Sequence, residues 1–326
     1  MQETSKNTFF EPFFVLGAPR SGTTMFAVLL DRHSEISIPP ETQFYTEFLP
    51  LVKDESLSSS REEKITHALN FKRIADLQLN KSELLEQFDK HENTYPELLR
   101  SILEVYAQKK AKKRFGEKSP KHLEHVPLIL KNFPNAKIIC IVRDGRDVVR
   151  SLLKVPWAEP GNKRRFEIFC MEWQDLAILG LQYEKTLSAN KFLLIKYEDL
   201  MLSPESTMQT VCDFIGVQYE PTMLQPTNKT EEGVVPEWES QWKEKANKGL
   251  DPSRVKSWKK EADKEEIWSM NVMMGPALKK LNYTDTDLDG CPIFKRVLLY
   301  VRKLPYTKAM RPYSLLLLKF IRFFKK

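Results

Sequence analysis

The sequence predicts an α/β fold: a single domain in which helices flank a central parallel sheet. Apolar, β-branched runs bounded by polar residues mark three strands at Phe13–Leu16, Lys137–Val142 and Phe192–Ile195. Helical patterns separate these runs, and strands that alternate with helices build a parallel sheet. Sheets of this kind bind their ligands outside the carboxyl ends of the strands. Function is therefore expected in the turns that follow the strands.

The composition bounds the kind of protein. With 326 residues, 41% of them hydrophobic, the chain can bury a full core. The four cysteines have no metal-ligand spacing and are expected to be reduced and structural, and no metal site is predicted. Met1–Thr8 is polar and lacks the apolar core of a signal peptide, which predicts a cytoplasmic location.

The domain organisation is predicted from charge and pattern. Residues 13–290 are expected to form the main domain, with a weaker strand at Arg114–Gly116. Residues 54–112 are charged and helical in pattern, with a helix over Pro96–Lys109, and are expected to form a helical insertion between sheet elements. Such an insertion can wall an acceptor site. The remaining residues, 291–326, form a basic tail.

The turn after the first strand has the pattern of a phosphate-binding loop. It runs from Gly17 to Thr24, reads Gly-Ala-Pro-Arg-Ser-Gly-Thr-Thr, and leads into an apolar helical run. A strand–turn–helix directs backbone N–H groups and a helix N-terminus at an anion. The nucleoside triphosphate loop needs a Lys where this chain has Thr23, and Arg20 offers a different cation. The alternative is an ordinary tight turn between strand and helix.

A second motif follows the second strand and reads Val-Arg-Asp-Gly-Arg-Asp-Val-Val-Arg-Ser over residues 142–151. Arg143 stands at the end of the strand, and Ser151 lies two turns into the helix that follows. Both can reach one phosphate, Arg143 as a forked donor and Ser151 as a hydroxyl donor. The alternative is a surface turn with a solvated ladder of Arg and Asp side chains.

Together the two motifs resemble those of the sulfotransferases that use 3′-phosphoadenosine-5′-phosphosulfate (PAPS). The resemblance runs from about Phe13 to about Tyr283 and is nearer to the tyrosylprotein-sulfotransferase-like and bacterial branch than to the cytosolic steroid and phenol branch. It implies the phosphate-loop sulfotransferase fold, PAPS as co-substrate, no metal, and a hydroxyl acceptor. It also implies a set of residues that bind the 5′-phosphosulfate (Arg20, Ser21, Gly22, Thr23 and Thr24) and a pair that binds the 3′-phosphate (Arg143 and Ser151).

The resemblance also implies the catalytic residues. The segment Pro40-Glu41-Thr42 is similar to the one that carries the family's base, so Glu41 is expected to deprotonate the acceptor. Lys118, in Gly-Glu-Lys-Ser-Pro, and Arg20 are expected to stabilise charge on the leaving side. A surface Glu and a solvated Lys are the alternatives. His122 is the second candidate for the base, because the cytosolic branch uses a His.

Two later segments resemble the family's adenosine side. Tyr197, in Tyr-Glu-Asp-Leu after the third strand, is expected to face the adenosine half of PAPS. Lys248, in Lys-Gly-Leu-Asp-Pro, is expected in the loop that closes over the 3′-phosphate. Two rival functions remain, a phosphoryl-transferring kinase of the phosphate-loop class and a membrane-associated scaffold without activity. Sugars, lipids, small metabolites and tyrosine all remain acceptor candidates.

The basic tail carries most of the positive charge. The chain has a net charge of +7, and residues 291–326 contain ten Lys or Arg and no Asp or Glu, so the preceding residues carry about −3. This distribution argues against a broad nucleic-acid-binding face. Apolar residues recur at helical spacing from Phe294 to Val301, and Leu315–Phe324 is nearly all apolar. We expect a basic amphipathic helix on an anionic membrane surface; the alternative is a terminal helix packed on the body with its basic face in solvent.

Overall fold

The structure, a computed structural model, describes residues 10–52, 59–155, 164–225, 249–286 and 288–304. Five parallel strands form one sheet in the order β2–β3–β1–β4–β5. The strands are β1 (Phe13–Gly17), β2 (Ile36–Ser37), β3 (Arg114–Lys118), β4 (Ile138–Val142) and β5 (Phe192–Lys196). The predicted α/β fold is confirmed; the sequence did not predict β2, which has two residues and is too short to carry a pattern.

Helices cover both faces of the sheet and connect its strands. The α-helices of the described residues are α1 (Thr23–Asp31), α2 (Leu49–Leu51), α3 (Arg61–Asn70), α4 (Lys72–Ala75), α5 (Lys81–Phe88), α6 (Tyr95–Lys109), α7 (Val126–Asn132), α8 (Gly145–Leu152), α9 (Arg165–Thr186), α10 (Tyr197–Leu202), α11 (Pro204–Ile215), α12 (Trp258–Glu261), α13 (Lys264–Lys280) and α14 (Ile293–Lys303). Tighter or wider turns occur at Phe44–Phe48, Pro120–His125, Pro221–Leu224 and Pro252–Arg254.

The core lies on both sides of the sheet because side chains alternate along each strand. Phe14 and Cys140 face one side, where they pack with helices α6 and α9. Val15 and Ile139 face the other side, where they pack with α1 and α11. A strand with both faces covered is apolar at every position, which explains why β1 and β4 read as continuous hydrophobic runs.

The segment that was predicted as an insertion forms helices α3 to α6. The side chain of Thr94 accepts a hydrogen bond from the amide of Glu97 and caps α6. The insertion packs against the Phe44–Phe48 turn, where the Phe48 ring lies 5.7 Å from the ring of Tyr95. This turn follows Glu41 directly, so the insertion supports the segment that carries the predicted base. Its role as an acceptor-site wall stays a prediction.

The terminal helix α14 has the amphipathic pattern that the sequence predicted, and part of its basic side contacts the body. Its cations bind the body: Lys295 pairs with Glu265 on α13, and Arg302 pairs with Glu167 on α9. Arg302 is still 54% exposed in this pair, and both the membrane contact of the tail and its alternative stay predictions. The apolar run Leu315–Phe324 lies outside the described residues, and the domain boundary at residue 290 stays a prediction.

Candidate active site

The Gly17–Thr24 loop lies at the point of the sheet where ligands are expected. The end of β1 pairs with β4, with Gly17 opposite Ile141, so the turns after these two strands are neighbours. In the strand order β2–β3–β1–β4–β5, the chain passes from β3 on one side of β1 to β4 on the other side. A crevice forms at such a switch point, outside the carboxyl ends of the strands.

Two residues of the loop, Arg20 and Gly22, have a left-handed backbone. Gly22 has a φ of +96°, and a Cβ at this position would lie 2.5 Å from the ring of Tyr197. Arg20 has a φ of 69°, which non-glycine residues rarely adopt and which is found at functional sites. The loop ends at Thr23 and Thr24, which begin α1. The N-terminus of α1 therefore follows the loop directly.

Ser21 is buried within this loop, and its hydroxyl has no hydrogen-bond partner among the described residues. An unpaired buried hydroxyl costs about 1–3 kcal/mol, so such a group is rare unless a ligand pairs with it. The Nε atom of Arg143 is buried in the same way. Both predicted motifs thus present a buried polar atom that a bound anion would satisfy.

Three guanidinium groups lie near one another at this point: Arg20, Arg143 and Arg254. The Nε atom of Arg20 donates to the Ser151 hydroxyl at 3.1 Å, which links the first motif to the second. Burial lowers the pKa of Arg20, and the charges of Arg143 and Arg254 lower it further. An anion bound here would relieve this repulsion.

Tyr197 connects the loop with the second motif. The guanidinium of Arg143 lies 4.3 Å above the centroid of the Tyr197 ring, and Gly22 packs on the same ring. Arg143 also donates through Nη2 to the carbonyl oxygen of Arg254 at 3.0 Å. The structure therefore brings together Arg20, Arg143, Ser151 and Tyr197, as the sequence predicted.

The first two Arg and both Asp residues of the second motif (Arg143, Asp144, Arg146 and Asp147) are buried, so the alternative of a solvated ladder is wrong. Asp147 accepts hydrogen bonds at 2.8 Å from the amide of Trp258 and from the hydroxyl of Ser257. Asp144 accepts one from the indole of Trp258 at 3.1 Å, and Arg146 packs its guanidinium over that indole. The motif is thus the anchor of the loop that precedes α12.

This late loop contributes Arg254, a residue that the sequence analysis missed. The sequence singled out Lys248, which lies outside the described residues. The Arg254 guanidinium donates to the Asp251 carboxylate at 3.3 Å. Asp251 also caps the short turn Pro252–Arg254, which begins with the Asp-Pro pair. The only sequence signal for Arg254 is its place in that turn, because its proximity to Arg20 depends on the anchor at Asp147.

Glu41 and Lys118 form a buried ion pair beside the loop. The Nζ atom of Lys118 lies 2.6 Å from Oε1 of Glu41 and 3.3 Å from the hydroxyl of Thr24. Lys118 is fully buried and Glu41 nearly so, so the alternatives of a solvated Lys and a surface Glu are wrong. Lys118 ends β3 and pairs with Val15 of β1, which explains why its side chain reaches the loop.

Gln43 holds the other oxygen of Glu41. Its Nε2 atom donates to Oε2 of Glu41 at 2.7 Å, while its Oε1 atom accepts from the hydroxyl of Thr46 at the same distance. The backbone of Gln43 adopts a left-handed conformation, with a φ of 49°. Sequence reasoning missed Gln43 and Thr46, because no pattern marks a residue whose role depends on a local turn.

His122, the second candidate for the base, is fully buried and has both ring nitrogens occupied. The amide of Tyr45 donates to its Nε2 atom at 3.0 Å, so the ring proton is on Nδ1 and is donated to Glu117, also at 3.0 Å. Thr42 and Ser119 donate to the same carboxylate. His122 therefore positions the Glu41 segment on β3, and its geometry does not suit a base.

A known protein family matches the part of the chain that carries most of this site. The model of the sulfotransferase family matches residues 12–221, which include both phosphate-binding motifs, Glu41 and Lys118. The chain belongs to the sulfotransferase family. Arg254 and its loop lie outside the matched residues, and the structure alone connects them with the site. Within the described ranges, no cluster of His, Cys, Asp and Glu could hold a metal ion.

Two similar sequences come from animals. The chain is 27% identical to protein-tyrosine sulfotransferase 1 of Danio rerio over 211 residues, which are 65% of this chain and 54% of that protein. It is 28% identical to protein-tyrosine sulfotransferase 2 of Gallus gallus over 214 residues, 65% of this chain and 52% of that protein. The chain thus spans about half the length of these relatives.

A similar solved structure is the sulfotransferase domain from the curacin biosynthetic pathway. Its TM-score is 0.60 at 20% identity, covering 84% of this chain and 99% of that domain. The sulfotransferase domain of the Synechococcus PCC 7002 olefin synthase gives a TM-score of 0.57 at 22% identity, over 84% of this chain and 95% of that domain. At these identities the likeness shows the fold.

The buried carboxylate of Glu117 generates a prediction on stability. Burial raises its pKa, but the His122 ring and the hydrogen bonds from His122, Ser119 and Thr42 outweigh burial and hold the pKa of Glu117 below its usual value. Such a group stabilises the fold above its unfolded-state pKa of about 4.3, and the stabilisation is lost as the pH falls through the folded-state pKa.

We expect Glu117→Gln to lower the free energy of unfolding at pH 7 by about 1.5–3 kcal/mol, the scale for a hydrogen bond to a charged group. The difference from wild type should shrink as the pH falls below about 4.3. Urea unfolding at both pH values measures it. Glu86→Gln, which removes an exposed pair with Lys90, should change little at either pH; equal losses in both variants would contradict the assignment.

Proposed function

We propose that this protein transfers the sulfuryl group of PAPS to the hydroxyl group of an acceptor. One observation carries the proposal: Arg20, Arg143 and Arg254 converge at the switch point of the sheet, beside the buried, unpaired Ser21 hydroxyl. Three cations and a hydroxyl donor suit a ligand with phosphate and sulfate groups. Family membership supports the same reaction.

The residues present fit PAPS. The loop from Arg20 to Thr24, with the N-terminus of α1, would hold the 5′-phosphosulfate, and the Ser21 hydroxyl would find its missing partner there. Arg143, through its unpaired Nε, and Ser151 would hold the 3′-phosphate, to which Arg254 adds charge. Tyr197 would border the adenosine half. When bound, PAPS supplies the electrophilic sulfuryl group.

The chemistry that we assign to the protein uses Glu41 and Lys118. Glu41 would accept the proton of the acceptor hydroxyl, and Gln43 orients its carboxylate through the 2.7 Å hydrogen bond. Lys118 contacts both Glu41 and Thr24, so its charge lies between the base and the loop. Lys118 and Arg20 would stabilise the negative charge that develops on the leaving side. This scheme requires no metal ion.

The acceptor is proposed only by its chemical class, a hydroxyl compound. Two of the relatives are protein-tyrosine sulfotransferases, which makes a tyrosine hydroxyl the first acceptor to test, followed by sugars, lipids and small metabolites. The test incubates the protein with PAPS and an acceptor panel and follows the release of 3′-phosphoadenosine-5′-phosphate together with an 80-Da gain in the acceptor. Phosphoryl transfer from ATP and Mg²⁺ in the same panel would assign it to the kinase class instead.

Selectivity for the 3′-phosphate is expected to depend on Arg143. Arg143→Ala should weaken PAPS binding by about 2–4 kcal/mol, the scale for truncating a buried charged partner. Binding of adenosine 5′-phosphosulfate, which lacks the 3′-phosphate, should change less. Calorimetry with both ligands measures the difference. Arg150→Ala, in the same motif but paired with Glu266, should keep the preference; equal loss for both ligands in Arg143→Ala would contradict this role.

Arg254 is expected to bind PAPS as well. Because its charge acts on Arg20, we expect Arg254→Ala to weaken PAPS binding roughly tenfold or more, on the scale of one charge-assisted hydrogen bond. Titration at low and high salt measures the contribution. Lys248→Ala provides the comparison: a larger loss from Lys248→Ala than from Arg254→Ala would return the role to the residue that the sequence singled out.

Glu41 is expected to be the general base. Glu41→Gln should lower turnover roughly 10²–10⁴-fold, because a proton acceptor is lost, while PAPS affinity is nearly retained. Steady-state kinetics and calorimetry on the same preparation separate the two effects. His122→Ala is the counterpart. Loss of turnover in a folded His122→Ala protein, with turnover kept in Glu41→Gln, would make the His the base.

A further inference from the structure

Helix α14 is amphipathic, but its apolar face points away from the body of the protein. Phe294 is 72% exposed and Leu298 is 61% exposed. Successive residues of a helix are about 100° apart, so the exposed apolar residues share one side of α14. These residues are Ile293, Phe294, Val297, Leu298 and Val301; we call them the outer face of α14.

The opposite side of α14 holds the helix on the body. Leu299, at its centre, is buried, and Lys295 and Arg302 pair with Glu265 and Glu167 on either side of it. Lys303 donates to the carbonyl oxygen of Val272 at 2.9 Å. The helix is thus fixed through its basic side. The ion pairs on this side determine the direction in which the outer face points.

The charges of the sequence that follows α14 distinguish the candidates for what covers the outer face. Residues 305–326 contain six Lys or Arg and no Asp or Glu. A second copy of the chain would bring the same net charge of +7, including a second set of these six cations. Residues 305–326 and α14 carry no Asp or Glu, so a tail folded back on the helix would form no ion pair with it. An anionic lipid surface is the candidate that brings opposite charge.

We propose that α14 docks the protein on an anionic lipid bilayer, with its outer face in the apolar boundary. A contiguous exposed apolar patch marks an interaction site, and amphipathic helices with nearby Lys and Arg bind in the plane of the membrane interface. Each cation near such a surface adds to the attraction. No helix among the described residues is long and apolar enough to cross a bilayer. The proposal is independent of sulfuryl transfer.

The test uses the full chain and vesicles of phosphatidylcholine with or without phosphatidylserine. The double variant Phe294→Gln, Leu298→Gln should reduce the partition constant on the anionic vesicles roughly tenfold or more, because two apolar side chains no longer enter the boundary. Binding of the wild type should weaken in about 1 M salt, where the Debye length is about 3 Å. Vesicle sedimentation measures both effects.

The matched control is the double variant Leu51→Gln, Leu202→Gln, which changes two leucines that are 71% and 66% exposed elsewhere on the body. It should bind vesicles as the wild type does, and circular dichroism should show all three proteins folded. Equal vesicle binding by the wild type and the Phe294, Leu298 variant would overturn the proposal. So would absence of binding by the wild type, or a dimer in sedimentation velocity that only this variant dissociates, which would assign the outer face to a second copy.

Discussion

The active site depends on holding the three like charges of Arg20, Arg143 and Arg254 close together. Arg20 is held by its left-handed backbone and by Ser151, and Arg143 by the ring of Tyr197 and the nearby carboxylate of Asp147. Burial lowers the pKa of Arg20 and the neighbouring charges lower it further, and each of these restraints acts against that repulsion. The restraints come from buried parts of the fold, so the fold itself positions the cations, which is the arrangement that favours charge stabilisation during a reaction.

The buried pair of Glu41 and Lys118 is better explained by function than by stability. Removing two charges from water costs several kcal/mol per ion, and apolar residues of similar volume would often serve the fold as well. The pair instead places a carboxylate and an ammonium next to Thr24 of the phosphate-binding loop. A proton acceptor and a cation at one loop are what transfer to a hydroxyl group requires. The buried Glu117 and His122 behind them hold the segment in place.

The sequence predicted the elements whose signal is local. β1 and β4 are continuous apolar runs, and the two motifs that follow them carry fixed spacings, so the sheet, the loop and residues such as Arg143 could be recognised. Gln43 and Arg254 could not be recognised, because each reaches the site through a turn whose conformation other residues fix. His122 shows a different limit, because its residue type suits a base. Its buried partners, Glu117 and the amide of Tyr45, show instead that it positions the Glu41 segment.

Helix α14 shows why hydrophobic pattern alone does not give orientation. The pattern places the apolar residues on one side of the helix but does not determine which way that side faces. The body presents Glu167, a buried carboxylate on α9, which would be costly without a cation. Arg302 supplies that cation, and Lys295 binds Glu265 in the first turn of α13. Pairing these carboxylates requires the basic side of α14 to face inward, so the apolar side must face outward. The direction of the outer face therefore follows from the electrostatics of the body, and the surface that the helix offers to a partner is a consequence of how it is anchored.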